Sequence, residues 1–333
     1  MMNIVFGISA ISFLITFLVL PFWIKKAKKY GFVEKDVHKK EGKAAGLGGL
    51  IVGFGFIVGL LAYTAYSVFY LKDGPNLVVI FAVMSSILIA MVIGMVDDLL
   101  GWKIGLRKYQ KILLNILIAL PIMAINAGVS KITVPFIGKT NIFWLYPLLV
   151  VPVAISGTAN GFNIIAGYNG LEAGMGIIIL ASQGLIVLSL GNSAAAVMAF
   201  CMAAALLAFL FFNKYPAKVF PGDTMTYTVG ALIGIVAIVG NIEKFSLMLF
   251  MPYFIEGILK LRGKLRKESF AKLLPDGSLA EPYKKYYGLE HIAITIARKI
   301  KKKCHEKDVV LILWLFQLAV AAIVLLDFFI FKF

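Results

Sequence analysis

The stretch Asn160-Gly-Phe-Asn-Ile-Ile-Ala-Gly-Tyr-Asn-Gly-Leu-Glu-Ala-Gly-Met-Gly176 holds three asparagines, five glycines and one glutamate between two long apolar runs. The chain around it has a mean hydropathy of +0.92. Unpaired amides and backbone groups are costly in hydrocarbon, so this segment cannot face lipid and must line a protein cavity or lie at the water boundary. A plain turn between two membrane helices meets the same constraint, because Asn and Gly are turn residues. The rest of the chain decides between a turn and a site.

At 333 residues, 61% hydrophobic and 15% charged, the chain is too apolar for soluble domains and reads as an all-α polytopic membrane protein. Runs long enough to span a bilayer fall at roughly 3–24, 48–70, 77–97, 109–127, 142–158, 174–190, 194–212, 225–241, 245–260 and 309–331. This pattern predicts about ten transmembrane helices in a single membrane domain over 1–333, with a cytoplasmic excursion at 261–308 between helices nine and ten. The first run is followed by lysines and not by a small-residue cleavage site, so it reads as a helix and not a signal peptide. Cys201 and Cys304 are far apart with no metal spacing, and His38, His291 and His305 are the only histidines. A disulfide framework, a zinc site and a histidine metal cluster are therefore not expected.

A net charge of +16 invites a nucleic-acid reading, but the placement of the charge argues otherwise. Of 33 Lys and Arg residues, 28 lie in the loops after helices one, three, seven and nine. The remaining five are Lys72, Lys131, Lys139, Lys244 and Lys332. This asymmetry puts the basic loops in the cytoplasm and both termini outside, with lipid and not nucleic acid as the partner. The asparagine-rich segment follows helix five and falls on the cytoplasmic side. On the outer side, Lys131 to Asn141 alternates apolar and polar residues around Gly138-Lys139, as a small hairpin would.

Three further features share the cytoplasmic face. Asp97-Asp98 closes helix three, where carboxylates oppose the helix macrodipole and repel each other. The pair reads as a solvated stop or as a site for Mg²⁺ or a proton; adjacent helical residues point about 100° apart, so both face one ion only if the helix has ended. Asp223 and Thr224, in Phe220-Pro-Gly-Asp-Thr224, are candidates to cap helix eight, yet Asp223 is the only acid of its loop. Arg107 and Lys111 follow the aspartate pair and read as snorkelling or phosphate-facing cations. The cluster Arg298 to Lys303 is expected along anionic headgroups. Acids to hold Mg²⁺ beside bases to hold phosphate are the parts of a phosphoryl-transfer site, one of whose substrates is soluble and anionic and the other a lipid.

At these residues the chain resembles the polyprenyl-phosphate N-acetylhexosamine-1-phosphate transferases, above all their eukaryotic and archaeal UDP-GlcNAc:dolichyl-phosphate branch. The segments VDDLLG with LRKYQKILL, NGFNIIAGYNGLEAG and NKYPAKVFPGDTMTY occur in family order. The resemblance implies Mg²⁺-dependent transfer of a sugar 1-phosphate, GlcNAc-1-phosphate first among candidates, from a UDP-sugar to a polyprenyl or dolichyl phosphate, with Mn²⁺ as a substitute metal. It implies UMP as the second product, sensitivity to tunicamycin, and a place at the first membrane step of glycan assembly such as N-glycosylation. By the same resemblance Asn163 and Asp223 are Mg²⁺ ligands, Asn169 contacts uracil and Phe220 stacks near it. Asp97 and Asp98 match the family's aspartate pair, one of which is proposed to deprotonate the lipid phosphate, and Lys111 matches a phosphate-binding lysine. Arg266 and Lys267 are the nearest candidates for contacts to diphosphate and sugar.

The chain departs from the family in Lys43-Ala-Ala-Gly-Leu-Gly-Gly49, which lacks the Pro and acidic residue often found before the first-loop glycines. It also has no His-x-His-His cluster in the last loop, which argues against a muramoyl-pentapeptide substrate. Another UDP-N-acetylhexosamine for a cell-wall or surface polysaccharide is the alternative reading. A secondary transporter would need ionisable residues near the membrane midplane and a repeat, and a CDP-alcohol phosphotransferase would need aspartates spaced along two successive helices; neither pattern is present. The short last loop favours a prokaryotic or archaeal plasma membrane over the endoplasmic reticulum, with a homodimer among the allowed assemblies.

Overall fold

Long apolar runs satisfy their backbone groups in lipid only as helices, and helices dominate the chain. The structure is a computed structural model and describes all residues except 1, 40–41, 71, 73–76, 130, 135–137, 142 and 332–333. In chain order the elements are α1 (Met2–Lys29), β1 (Val33–Lys35), β2 (Lys43–Ala45), α2 (Gly48–Ala65), α3 (Leu77–Ile104), α4 (Lys108–Ile116), α5 (Leu120–Ala124), β3 (Lys131–Val134) and β4 (Gly138–Asn141). They continue with α6 (Val151–Ile164), α7 (Leu171–Ser189), α8 (Ser193–Asn213), α9 (Gly222–Gly240), α10 (Glu243–Leu249), α11 (Met251–Arg262), β5 (Lys272–Leu273), β6 (Leu279–Ala280), α12 (Leu289–Lys301) and α13 (Glu306–Phe331).

Among the described residues, eight helices are long and apolar enough to cross a membrane: α1, α2, α3, α6, α7, α8, α9 and α13, with α2 and α6 extended by short π-helical turns. The expected spans at 109–127 and 245–260 are present as interrupted helices. The first divides into α4, a 3₁₀ turn and α5. The second breaks at Phe250, just before Pro252, which has no N–H to donate. The break is repaired from α13, where Gln317 Nε2 donates to the Leu249 carbonyl at 2.9 Å; beside it Gln183 of α7 ties α9 to α10, its Nε2 donating to Ile233 O and to Ser246 Oγ. Such repairs are what an interruption at membrane depth requires.

α9 is the centre of the bundle. Its apolar window is 83% buried, against 33% for α1 and α13, which present apolar faces outward. α3 and α2 reach its first turns through glycines: a Cβ on Gly94 would overlap the backbone of Thr224, and one on Gly49 the backbone of Met225.

Three short antiparallel hairpins complete the fold, β1–β2, β3–β4 and β5–β6. β3 and β4 pair as the hairpin expected at 131–141, Lys131 opposite Asn141, while the turn residues 135–137 lie outside the described residues, as does Lys332 of the outer charge set. The β1–β2 hairpin is an addition to the all-helical expectation. It is strapped to the segment before α9: Ala45 N–H donates to Lys218 O, Phe220 N–H to Ala45 O, Gly48 N–H to Phe220 O and Gly49 N–H to Pro221 O, all at 2.7–3.1 Å.

The 261–308 excursion is held by β5–β6 and by α12, which buries Leu289, Ala293, Ile294 and Ala297. Three cations of the expected headgroup cluster are in ion pairs here: Arg298 with Glu281, Lys301 with Asp308, and Lys303 with Asp276. Their acids restrain them within the excursion, which a reading of charge along the chain does not reveal.

Gly94→Ala should force α3 and α9 apart at the cost of an overpacked core position, about 1–3 kcal/mol, and lower the melting temperature of the detergent-solubilised protein. Gly157→Ala, on α6 with open space around it, should leave it unchanged.

Candidate active site

The end of α3 meets the start of α9, and this junction divides the two aspartates. Asp98 turns to α9: its Oδ1 accepts the Asp223 N–H at 2.7 Å, and its Oδ2 accepts the Thr224 N–H at 3.1 Å and the Thr224 hydroxyl at 2.6 Å. A carboxylate at a helix N-terminus satisfies orphan donors and complements the macrodipole, so Asp98 caps α9 from another helix. Gly222, at φ +67°, is required there because a Cβ would overlap the Asp98 carboxylate. Asp223 therefore does not cap its own helix.

Asp97 points elsewhere, as the 100° step along a helix demands. Gly101 takes a non-helical conformation (φ 66°, ψ 177°), and the chain doubles back so that the Leu106 N–H donates to Asp97 Oδ1 at 2.6 Å. One turn into α4, the Lys111 ammonium bridges Asp97 Oδ2 at 2.5 Å and Asp223 Oδ2 at 2.7 Å. α4 is held in place by Asn115, whose Nδ2 donates to Asn160 Oδ1 at 3.1 Å; Asn160 in turn donates to Ser156 O. One turn along α6 from Asn160, the Asn163 amide faces Asp223 without closing a hydrogen bond, and its Nδ2 is buried and unpartnered. Tyr227, one turn along α9 from Asp223, likewise has a buried hydroxyl with no partner beside the acids. Two carboxylates converging on one ammonium, beside an asparagine whose amide oxygen is a further hard donor, are oxygen groups of the kind that suit Mg²⁺.

Glu34 joins this group, and nothing in its sequence context marked it. It sits on β1 over Gly46, where a Cβ would approach its Oε1 to 2.5 Å. Its side chain is open to solvent on one side, yet surrounding protein, and then the charges of Asp98 and Asp223, push its carboxyl up to about 7.

A second polar cluster surrounds the loop between α6 and α7. The Asn169 N–H donates to Glu306 Oε1 at 2.6 Å, and Asn169 Nδ2 donates to Asp36 Oδ2 at 3.1 Å. Burial alone would raise the Asp36 carboxyl, but hydrogen bonds from Lys39 and Asn169 hold it below its ordinary value. The Gly170 N–H donates to Asn213 Oδ1 at 3.0 Å and the Gly167 N–H to Glu172 Oε1 at 2.7 Å. Glu172 and Asn160, without an assigned role in the sequence, are braces of this loop and of α4.

Asp36, His38 and Glu306 place potential ligand atoms within 4.8 Å of one another. The His38 ring argues against a metal among them. Its Nε2 accepts the Ala271 N–H at 3.2 Å, so in the neutral ring Nδ1 carries the proton and faces Glu306 Oε1 at 3.8 Å with no lone pair to give.

The remaining sequence candidates are less engaged. Phe220 is half-buried in the segment strapped to the first loop and makes no aromatic stack among the described residues. Arg266 is exposed, and the Lys267 ammonium lies 4.8 Å from the Tyr283 ring centroid. Lys108 donates to the Leu265 carbonyl, which ties their loop to α4.

Residues 80–241 match glycosyl transferase family 4. Over 306 residues the chain is 36% identical to a Saccharolobus solfataricus protein provisionally named UDP-N-acetylglucosamine–dolichyl-phosphate N-acetylglucosaminephosphotransferase, with 91% of this chain and 90% of that one covered. The chain belongs to glycosyl transferase family 4. A Sulfolobus acidocaldarius protein of the same provisional name is 33% identical over 307 residues, covering 91% of this chain and 90% of its own. A Bacillus subtilis protein, provisionally named undecaprenyl-phosphate N-acetylglucosaminyl 1-phosphate transferase, is 28% identical over 293 residues, covering 84% of this chain and 77% of its own. The family match includes Asp97, Asp98, Lys111, Asn163, Asn169, Phe220 and Asp223, and leaves Glu34, Asp36, Arg266 and Lys267 outside.

Asp98→Ala removes the cap of α9 and should cost about 1–2 kcal/mol of stability. Asp98→Asn, which keeps one acceptor oxygen, should cost less; equal losses in thermal melting would show that Asp98 is not acting as a cap. A carboxyl raised in the fold favours the folded state while protonated, a contribution complete below its ordinary value of 4.5 and lost as pH rises through about 7. Glu34→Gln, always neutral, should therefore raise the melting temperature above pH 7 and leave it unchanged below pH 4.5.

Proposed function

We propose that this chain transfers a sugar 1-phosphate, most simply GlcNAc-1-phosphate, from a UDP-sugar to a polyprenyl or dolichyl phosphate at the cytoplasmic face of its membrane. The observation that carries this reading is the Lys111 bridge between Asp97 and Asp223 where α3, α4 and α9 meet. The names of the archaeal relatives support the substrates, and the concentration of Lys and Arg in alternate loops supports the side of the membrane.

In this reaction an oxygen of the lipid phosphate bonds to the β-phosphorus of the UDP-sugar. The bond from that phosphorus to the bridging oxygen breaks, so polyprenyl-diphospho-sugar and UMP are formed. Lys111 holds a phosphate oxygen and neutralises charge that builds up at the reacting phosphoryl group. Asp98, whose oxygens are taken up by α9, positions Asp223. Asp97 is then the aspartate left to accept a proton from the lipid phosphate. Asp223 and Asn163 would hold Mg²⁺, which supplies positive charge to the diphosphate when bound. Asn169 contacts the uracil base, with Phe220 alongside it, and Arg266 and Lys267 reach the sugar diphosphate from the excursion.

Incubation of the purified protein with radiolabelled UDP-GlcNAc, Mg²⁺ and a polyprenyl phosphate should release UMP and form a labelled glycolipid, and EDTA should stop both. Asp223→Ala should lower turnover by about 10²-fold or more, the scale of losing one preorganised charge contact. No product from any of several UDP-sugars would overturn the assignment.

A further inference from the structure

Asparagine is an ambiguous reader of a pyrimidine base. Turned one way it presents an acceptor oxygen, and turned the other way a donor nitrogen. Uracil carries a proton on N3 and cytosine carries a lone pair there, so the two orientations of one amide select different bases. In this chain the orientation of Asn169 is determined by its neighbour. Asp36 Oδ2 accepts the Asn169 Nδ2 donor at 3.1 Å, and the same carboxylate is held by Lys39 and by the His38 N–H on Oδ1 at 3.1 Å. An ionised carboxylate only accepts, so the flipped amide would set its oxygen against that of Asp36. The main chain leaves no slack, because the Asn169 N–H is bound to Glu306 and the next N–H to Asn213. Asp36 is 4% and Asn169 5% exposed, so water competes little for these bonds. No described residue donates to Asn169 Oδ1.

We infer that Asp36 is a positioning residue that locks the Asn169 amide with its oxygen free, and that this lock makes the site select a base carrying an N3 proton, uracil, over cytosine. The inference rests on Asn169 as the contact to the base. A cytosine in the same place would set its N3 lone pair against Oδ1 and could offer its 4-amino donor only by shifting out of register, and a site built to accept a hydrogen bond rejects the ligand that lacks the donor at that position.

The test measures dissociation constants of UMP and CMP for the full-length protein in detergent with Mg²⁺. Wild type should prefer UMP by about tenfold or more, the scale of one mispaired hydrogen bond. Asp36→Asn, of the same size but able to present a donor or an acceptor, frees the amide, and the preference should fall to about threefold or less at an unchanged melting temperature. If that variant does not fold, Asp36→Ser, whose hydroxyl also donates or accepts, serves in its place. An undiminished preference in a folded Asp36 variant, alongside a lost preference in Asn169→Ala, overturns the lock and leaves the base contact standing. An undiminished preference in Asn169→Ala overturns the base contact and the inference together. Failure of wild type to bind either nucleotide counts against the transferase reading itself.

Discussion

The whole site depends on the bond between the Asp98 carboxylate and the first N–H groups of α9. Each partner is unfavourable alone: a carboxylate at the end of α3 opposes the helix dipole, and the start of α9 has donors without intrahelical acceptors. Bringing the two together cancels both penalties in a region sparingly served by water. The glycines at 49, 94 and 222 allow the backbones to come that close. Once α9 is seated against α3, Asp223 has one direction to face, and Asp97, a third of a turn away from Asp98, meets it across Lys111.

This arrangement leaves the site short of positive charge. Asp97 and Asp223 share one ammonium, and Glu34, in the first loop, feels the charges of Asp98 and Asp223. The excess of carboxylate over ammonium leaves a negative potential at the site, the condition under which the divalent cation proposed above would bind and offset charge on phosphate oxygens. The basic loops around it extend that attraction to anionic substrates arriving from water or along the membrane surface.

The loop between α6 and α7 is irregular yet not loose. Glu172 holds Gly167, Asn213 holds Gly170, and Glu306 and Asp36 hold Asn169 by main chain and side chain. These partners come from α7, α8, α13 and the loop between α1 and α2, so the polar segment is a meeting point of distant parts of the chain. His38 adds to it, stacked on Tyr168 at 4.3 Å and bound to the Ala271 N–H of the excursion.

The amino-acid sequence determined the apolar helices, because apolar length and the absence of charge are local properties that hydrocarbon enforces. It also exposed Asp97, Asp98, Lys111, Asn163, Asn169 and Asp223, because polar residues beside such runs stand out. The division of labour between Asp97 and Asp98 was not legible. It follows from where Gly101 ends the regular helix and from which helix lies opposite, neither of which leaves a mark in spacing. Glu34 and Asp36 were missed for a related reason: they look like ordinary loop charges until the first hairpin, strapped to the segment before α9, carries Glu34 and the residue just past its first strand to the site. Pro121 and Pro252 lie at the breaks in the spans at 109–127 and 245–260, but the repair of the second by Gln317 is visible only in the fold. The sequence by itself thus determined which groups water and lipid would sort to the membrane boundary; only the tertiary structure decided which of them touch, because contact between residues 125 positions apart depends on helix packing and not on local chemistry.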